Sequence, residues 1–265
     1  MTDTTIELSS ADSGTIELSY SDQGTGHTFL LLHGGGGPLT IAGFAGVLAT
    51  ERDARVITPV HPGFGGTARP DALSSIRQLA AVYVTLLEAL DLSDVTVVGN
   101  SIGGWIAAEI ALLASPRVGR VVLVDAVGIK VEDHPVADFF SLSFPELAEL
   151  SYYAPDAFRI DPSTMSPEQL AVMAGNRAAL AAYSGEFAMA DPGLRERLAS
   201  VAHPTLVVWG DSDGIVDPEY GRAYAAAIPS AQFEELRQVG HLPQLEAPQR
   251  LLESVWRFAA GRVTT

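Results

Sequence analysis

The sequence predicts an α/β protein: a mostly parallel central sheet with helices on both faces and an inserted helical segment. Three observations predict it. Apolar runs of strand length recur at 28–32, 55–59, 95–99, 121–125 and 205–209, each followed by a helix-like stretch. They are rich in Val, Ile and Leu at every position, as buried parallel strands are when helices cover both sides of the sheet. The alternation breaks once, between about 126 and 200, and 265 residues, 47% of them hydrophobic, suffice for one large domain carrying an insertion.

Taken in order, the chain opens with Thr-Ile-Glu-Leu-Ser at 5–9 and the same five residues at 15–19, separated by Asp12-Ser13-Gly14. No further copy follows at that period, so the pair predicts two alternating strands joined by a turn, an antiparallel start to the sheet. Segments 73–90, 102–114 and 248–260 have helical length and period. The core is expected over 1–125 and 201–265, with a helical cap over 126–200. In that insertion Pro135, Pro145, Pro155, Pro162, Pro167 and Pro192 punctuate helix-like pieces such as 146–153 and 168–183. It also holds 8 of the 20 aromatic residues and Met165, Met173 and Met189, a composition suited to an adaptable apolar wall or to packing the insertion onto the core.

The net charge of −16 repels phosphate backbones and anionic lipid head groups. Nucleic acid and membrane are therefore excluded as partners in favour of a dissolved small-molecule substrate, and nothing in the sequence marks an oligomeric state. The absence of cysteine removes disulfides, thiolate metal sites and a cysteine nucleophile. Lys130 is the only lysine and no phosphate-binding Gly-x-x-x-x-Gly-Lys loop is present. The first residues lack a basic region leading into an apolar run, and no stretch approaches 18 uninterrupted apolar residues, which predicts a cytoplasmic protein.

The strongest chemical signal is Gly-Asn-Ser-Ile-Gly at 99–103, at the junction of an apolar strand and a helix. A serine on so tight a turn is pushed out of the sheet's carboxyl edge as a nucleophile, and the small glycines let strand and helix approach. The helix start supplies unpaired N–H groups, including that of Ile102, aimed at an oxyanion in front of Ser101. His241, in Gly-His-Leu-Pro at 240–243, lies in a loop after a strand, where an imidazole can point back across the sheet edge. For the acid, Gly-Asp-Ser-Asp at 210–213 follows another strand. Asp213 is favoured because, after the turn begun by Gly210, it can swing toward His241, whereas Asp211 is better placed to tie the turn to its own backbone. Asp217 reads as the N-cap of a helix beginning at Pro218, and Asp125 ends a further strand.

The second oxyanion donor is expected in His-Gly-Gly-Gly-Gly at 33–37, with Gly35 as the donor. His61, in a glycine-rich loop, is expected to shape the rim of the site, and His203, before Pro204 at a strand entrance, to be structural. His27 and His134 have no partner at metal-ligand spacing, so neither a metal nor another cofactor is expected.

With these motifs in place, the sequence resembles the α/β-hydrolase superfamily over nearly its full length. The order Ser101, Asp213, His241 is the family's order. The resemblance implies an α/β-hydrolase fold with a cap and acyl transfer to water. Ser101 is then the nucleophile, His241 the base, Asp213 its orienting acid, and Gly35 and Ile102 the oxyanion hole. The elbow, with Asn100 before the serine, is similar to that of carbon–carbon bond hydrolases of aromatic degradation, but those enzymes carry tryptophan after the histidine, where this chain has Leu242. The expected function is hydrolysis of a small apolar or aromatic ester or lactone. The alternatives are a carbon–carbon hydrolase of a vinylogous diketo acid, a ligand receptor on a hydrolase fold, and cofactor-free oxygen or peroxide chemistry. Arg159 and Arg177 are the cap cations available to grip a substrate carboxylate.

Overall fold

In the computed structural model, which describes residues 3–10, 14–185 and 189–261, the two Thr-Ile-Glu-Leu-Ser copies pair with each other. Strands β1 (Asp3–Ser10) and β2 (Gly14–Gly24) run antiparallel with Thr5 opposite Ser19 and Ser9 opposite Thr15. This pairing aligns Leu8 with Ile16, and both enter the core with Leu18 while the polar positions between them face outward. Asp12 and Ser13 of the expected turn lie outside the described residues.

The chain then alternates as its apolar runs predict: β3 (His27–Leu32), α1 (Leu39–Glu51), β4 (Ala54–Pro59), α2 (Ile76–Ala89), β5 (Val95–Asn100), α3 (Ile102–Leu112) and β6 (Val118–Val124). The insertion carries β7 (Gly128–Ile129), α4 (Phe144–Ser151), α5 (Pro155–Phe158), α6 (Pro167–Ser184), β8 (Ala190–Asp191) and α7 (Leu194–Arg197). The alternation resumes with β9 (Thr205–Gly210), α8 (Pro218–Ala226), β10 (Ala231–Leu236), α9 (Pro243–Glu246) and α10 (Pro248–Ala259).

Eight strands form one sheet in the order β1-β2-β4-β3-β5-β6-β9-β10, parallel from β4 through β10 and antiparallel at the β1-β2-β4 edge. Strand β3 illustrates why these runs carry no polar alternation. Phe29 and Leu31 pack toward α1 and α10 with Phe44, Leu48, Leu251 and Val255, while Leu30 and Leu32 pack on the other face with residues of α2 and α3. The sheet is thus covered on both sides, as its sequence predicts.

Helix α1 is the one long core helix that the periodicity does not announce. Gly43 and Gly46 lower its intrinsic propensity, and open space surrounds both, so packing of Ile41, Phe44 and Leu48 holds it. The insertion helices start where sequence chemistry dictates: Ser143 with Glu146, and Ser166 with Gln169, form capping boxes, each with a proline in the first turn. At its far end the insertion is tied to the core by Arg197, which binds Glu109 of α3 through two bonds of 2.6 and 2.7 Å and Asp191 at 2.8 Å. Among the described residues, no helix is long and apolar enough to cross a membrane.

Candidate active site

The carboxyl ends of β3, β5, β6 and β9 converge on one edge of the sheet, and the glycine loop, Ser101, Asp125 and Asp213 follow them there. Ser101 stands alone between β5 and α3 with φ 56° and ψ −119°. A non-glycine residue held there costs on the order of 1–3 kcal/mol, offset by the packing of the flanking elements. Close approach on both sides demands glycine: a Cβ on Gly99 would collide with the Gly103 backbone, and one on Gly103 with the Leu32 carbonyl. The Ser101 N–H donates to Val124 O at 3.0 Å, pinning the turn to β6. Its carbonyl accepts from Gly104 and Trp105, whereas the Ile102 N–H, first in α3, has no acceptor within the helix.

The glycine loop after β3 wraps around this turn. A Cβ on Gly34 would stand 2.9 Å from Asn100 Oδ1 and 3.3 Å from Ser101 Cβ, so the loop's main chain lies directly against the serine. Beneath it, the His33 and His61 rings stack with centroids 3.7 Å apart. His33 Nε2 accepts from the His61 N–H at 3.1 Å, which leaves Nδ1 to donate to Gly34 O at 2.8 Å. His61 Nε2 in turn donates to His33 O at 3.0 Å, and its Nδ1 accepts from the Tyr83 hydroxyl. This corrects the expectation for His61: it lies fully buried under the glycine loop rather than at the rim, because β3 and β4 are neighbours and their loops stack.

Burial holds both imidazoles neutral, driving the His33 pKa from its ordinary 6.5 down to about 4 and that of His61 well below its usual range. A histidine whose folded pKa is depressed stabilises nothing extra above pH 6.5. Below it the unfolded chain takes up a proton that the folded chain refuses, so stability falls between pH 6.5 and 4. The His33 share of that loss is about 3 kcal/mol. Urea unfolding of the wild type and His33→Asn at pH 7 and pH 4.5 measures it: the wild type is expected to lose more stability, and equal losses would refute the assignment.

Asp213 and His241 meet at the adjoining strand ends. His241 Nδ1 donates to Asp213 Oδ2 at 2.7 Å, and both side chains are buried. Asp213 Oδ1 also accepts from the N–H groups of Ile215 and Val216, at 2.8 and 3.1 Å, so its carboxyl plane is fixed. Asn100 joins the histidine loop to the elbow by donating from Nδ2 to His241 O at 2.9 Å, and Gln244 donates to Asn100 Oδ1 at 3.0 Å. The Ser101 hydroxyl makes no hydrogen bond among the described residues, to His241 included.

The other acids sort by their partners. Asp217 caps α8 through Tyr220 N at 3.0 Å and pairs with His134 at 2.7 Å. Asp211 accepts from the Ser212 hydroxyl of its own turn and from Gln238 N, each at 2.7 Å, so the backbone it ties is that of the histidine loop rather than of its own turn, because β9 and β10 are adjacent. Asp125 is fully buried next to Asp213. Burial and that neighbouring carboxylate raise its pKa well above the usual carboxylate range.

Contacts from the insertion reach the site at two places, which sequence reasoning missed. The Leu150 and Ser151 carbonyls at the end of α4 accept from Gly214 N and His241 N, each at 2.8 Å. On α6, Asn176 donates to Gly36 O at 3.1 Å and accepts from Gly65 N at 2.8 Å, while Leu180 lies over Gly35. No local signal marks these residues. The two candidate cations are already engaged: Arg177 with the Phe139 and Phe140 carbonyls, and Arg159 with Glu149 and Asp156. Among the described residues, no group of three or more His, Asp or Glu side chains is placed to hold a metal ion.

The chain is 30% identical over 255 residues to a 2-hydroxymuconate semialdehyde hydrolase of Pseudomonas putida, covering 90% of this chain and 89% of that one. It is also 30% identical over 266 residues to a 2-hydroxy-6-oxo-2,4-heptadienoate hydrolase of the same species, covering 94% and 95%. Among solved structures it resembles Est816, described as an N-acyl homoserine lactone degrading enzyme, with a TM-score of 0.75, 26% identity and coverage of 96% and 100%. The alpha/beta hydrolase family model matches residues 29–254, from the strand before the glycine loop to the last helix, and the chain therefore belongs to that family of hydrolases.

Proposed function

We propose that this hydrolase cleaves small, uncharged apolar or aromatic esters or lactones through an acyl-enzyme on Ser101. The observation that carries the reading is the buried 2.7 Å His241–Asp213 bond at the strand edge that also presents Ser101. With Nδ1 donating to Asp213, the neutral imidazole leaves Nε2 unprotonated, free to take the Ser101 proton as the hydroxyl attacks the acyl carbon. The resulting oxyanion is received by the N–H groups of Ile102 and Gly35, and His241 returns the proton to the departing alkoxide. Water, deprotonated by the same histidine, then releases the acid.

The segment 126–200 acts as a cap in this reading, and the placement of Leu180 over Gly35 supports it. The engagement of Arg159 and Arg177 with other partners favours an acyl group without a carboxylate. A second reading, carbon–carbon hydrolysis of a vinylogous diketo acid, is favoured by the names of the two 30% identical relatives. A panel of p-nitrophenyl esters, aryl lactones and a vinylogous diketo acid separates the two. The expected result is a kcat/KM at least about tenfold higher on a neutral ester or lactone. Preference for the diketo acid would establish the second reading. No turnover of any of them by folded protein would refute both and leave the receptor or oxygen chemistry.

A further inference from the structure

Two buried carboxyl groups lie side by side at the ends of the adjacent strands β6 and β9, and only one of them is used by the proposed triad. Asp213 accepts from three N–H groups: Ile215, Val216 and the His241 ring. Asp125, fully buried with φ 44°, accepts from one, the Gly210 N–H at 2.8 Å on Oδ1. Its other oxygen, Oδ2, is buried without a donor. No arginine or lysine bonds to either group among the described residues, and the remaining ionisable group acting on Asp125 is Glu246 of α9, itself acidic. Two neighbouring carboxylates in a buried site strongly disfavour ionisation of both, and the charge settles where more donors point. Three donors against one place it on Asp213.

We propose that Asp125 is a neutral carboxylic acid whose O–H donates to the Asp213 carboxylate, making it a positioning residue that tunes the basicity of His241. The assignment rests on the triad reading above. It gives the otherwise orphaned Oδ2 a role, since a protonated Oδ2 becomes a donor and the neighbouring Asp213 carboxylate can accept from it. The O–H group spreads the charge of Asp213 over a fourth donor, so that Asp213 orients the imidazole while less of its charge acts on the ring than from an unshared carboxylate. Burial and the Asp213 charge push the Asp125 proton affinity in the same direction.

Asp125→Ala and Asp125→Asn test this together. Loss of the donor in Asp125→Ala is expected to move the acid limb of the kcat/KM profile up by about half a pH unit and to lower kcat/KM about tenfold. Asparagine, whose Nδ2 donates as the acid does and whose Oδ1 accepts from Gly210, is expected to rescue both. If Asp125 were instead ionised, either substitution would remove a negative charge and move the limb down, and that sign would overturn the proposal. Infrared difference spectroscopy between wild type and Asp125→Asn at pH 7 reads the proton directly. A protonated-carboxyl C=O band is expected in the wild type and lost in the variant, and its absence from the wild type would equally overturn the proposal. This band does not depend on turnover, so it stands or falls separately from the assignment of Ser101, and it remains decisive if the alanine variant fails to fold.

Discussion

Replacing Ser101 by alanine is expected to lower ester turnover by about 10⁴-fold or more while leaving the protein folded. The magnitude follows from the loss of the covalent route: without Oγ no acyl-enzyme forms, and only the oxyanion donors and substrate binding remain to assist water. The fold should tolerate the change, because the hydroxyl makes no hydrogen bond among the described residues and the strained backbone at φ 56° is imposed by the surrounding glycines and the Val124 carbonyl. Alanine meets the same steric limits there as serine. Circular dichroism and urea unfolding check the fold, and stopped-flow kinetics on the preferred member of the substrate panel check the chemistry. Turnover within tenfold of wild type would remove Ser101 from the mechanism and with it the acyl-enzyme.

The second large effect is expected at Asp213→Asn, about 10⁴-fold in kcat at neutral pH. The asparagine Oδ1 can still accept from Ile215 and Val216, which fixes the amide and turns Nδ2 toward His241. A donor at that place forces Nδ1 of the imidazole to become the acceptor, and the single ring proton moves to Nε2. That nitrogen can then no longer take the proton of Ser101. The geometry survives and the tautomer does not, so the loss should appear in kcat far more than in KM. Nitrogen NMR of the ring distinguishes this cause from a general loosening of the site: an Nδ1–H tautomer in the wild type should become Nε2–H in the variant. A variant within tenfold of wild type would leave Asp213 without the orienting role.

Much of this architecture was legible in the sequence because its determinants are local. Buried parallel strands announce themselves through apolar residues at every position, and the elbow through two glycines flanking Asn100, Ser101 and Ile102. The Thr-Ile-Glu-Leu-Ser pair reads as a hairpin because its alternation is confined to one strand length. A helix after the first apolar run was expected from the alternation, but the bounds of α1 were not legible, since tertiary contacts rather than propensity hold a helix with glycines at 43 and 46. The backbone partners of Asp211 were misjudged because Gln238 and Val239 follow a strand whose adjacency to β9 is a fact of the sheet, not of the turn.

By itself, then, the sequence determined the α/β class, the strand and helix succession, and the residue types and chain order of the candidate Ser, Asp and His, all of which depend on neighbours within a few positions. Only the tertiary structure decided which acid meets His241, that His33 and His61 stack beneath the glycine loop, and that Asn176 and the end of α4 hold the site from the insertion. It also decided that Asp125 lies against Asp213. Those contacts join residues separated by tens to more than a hundred positions, and they exist because the order of strands in the sheet, set by packing on both its faces, brings their carboxyl ends to one edge.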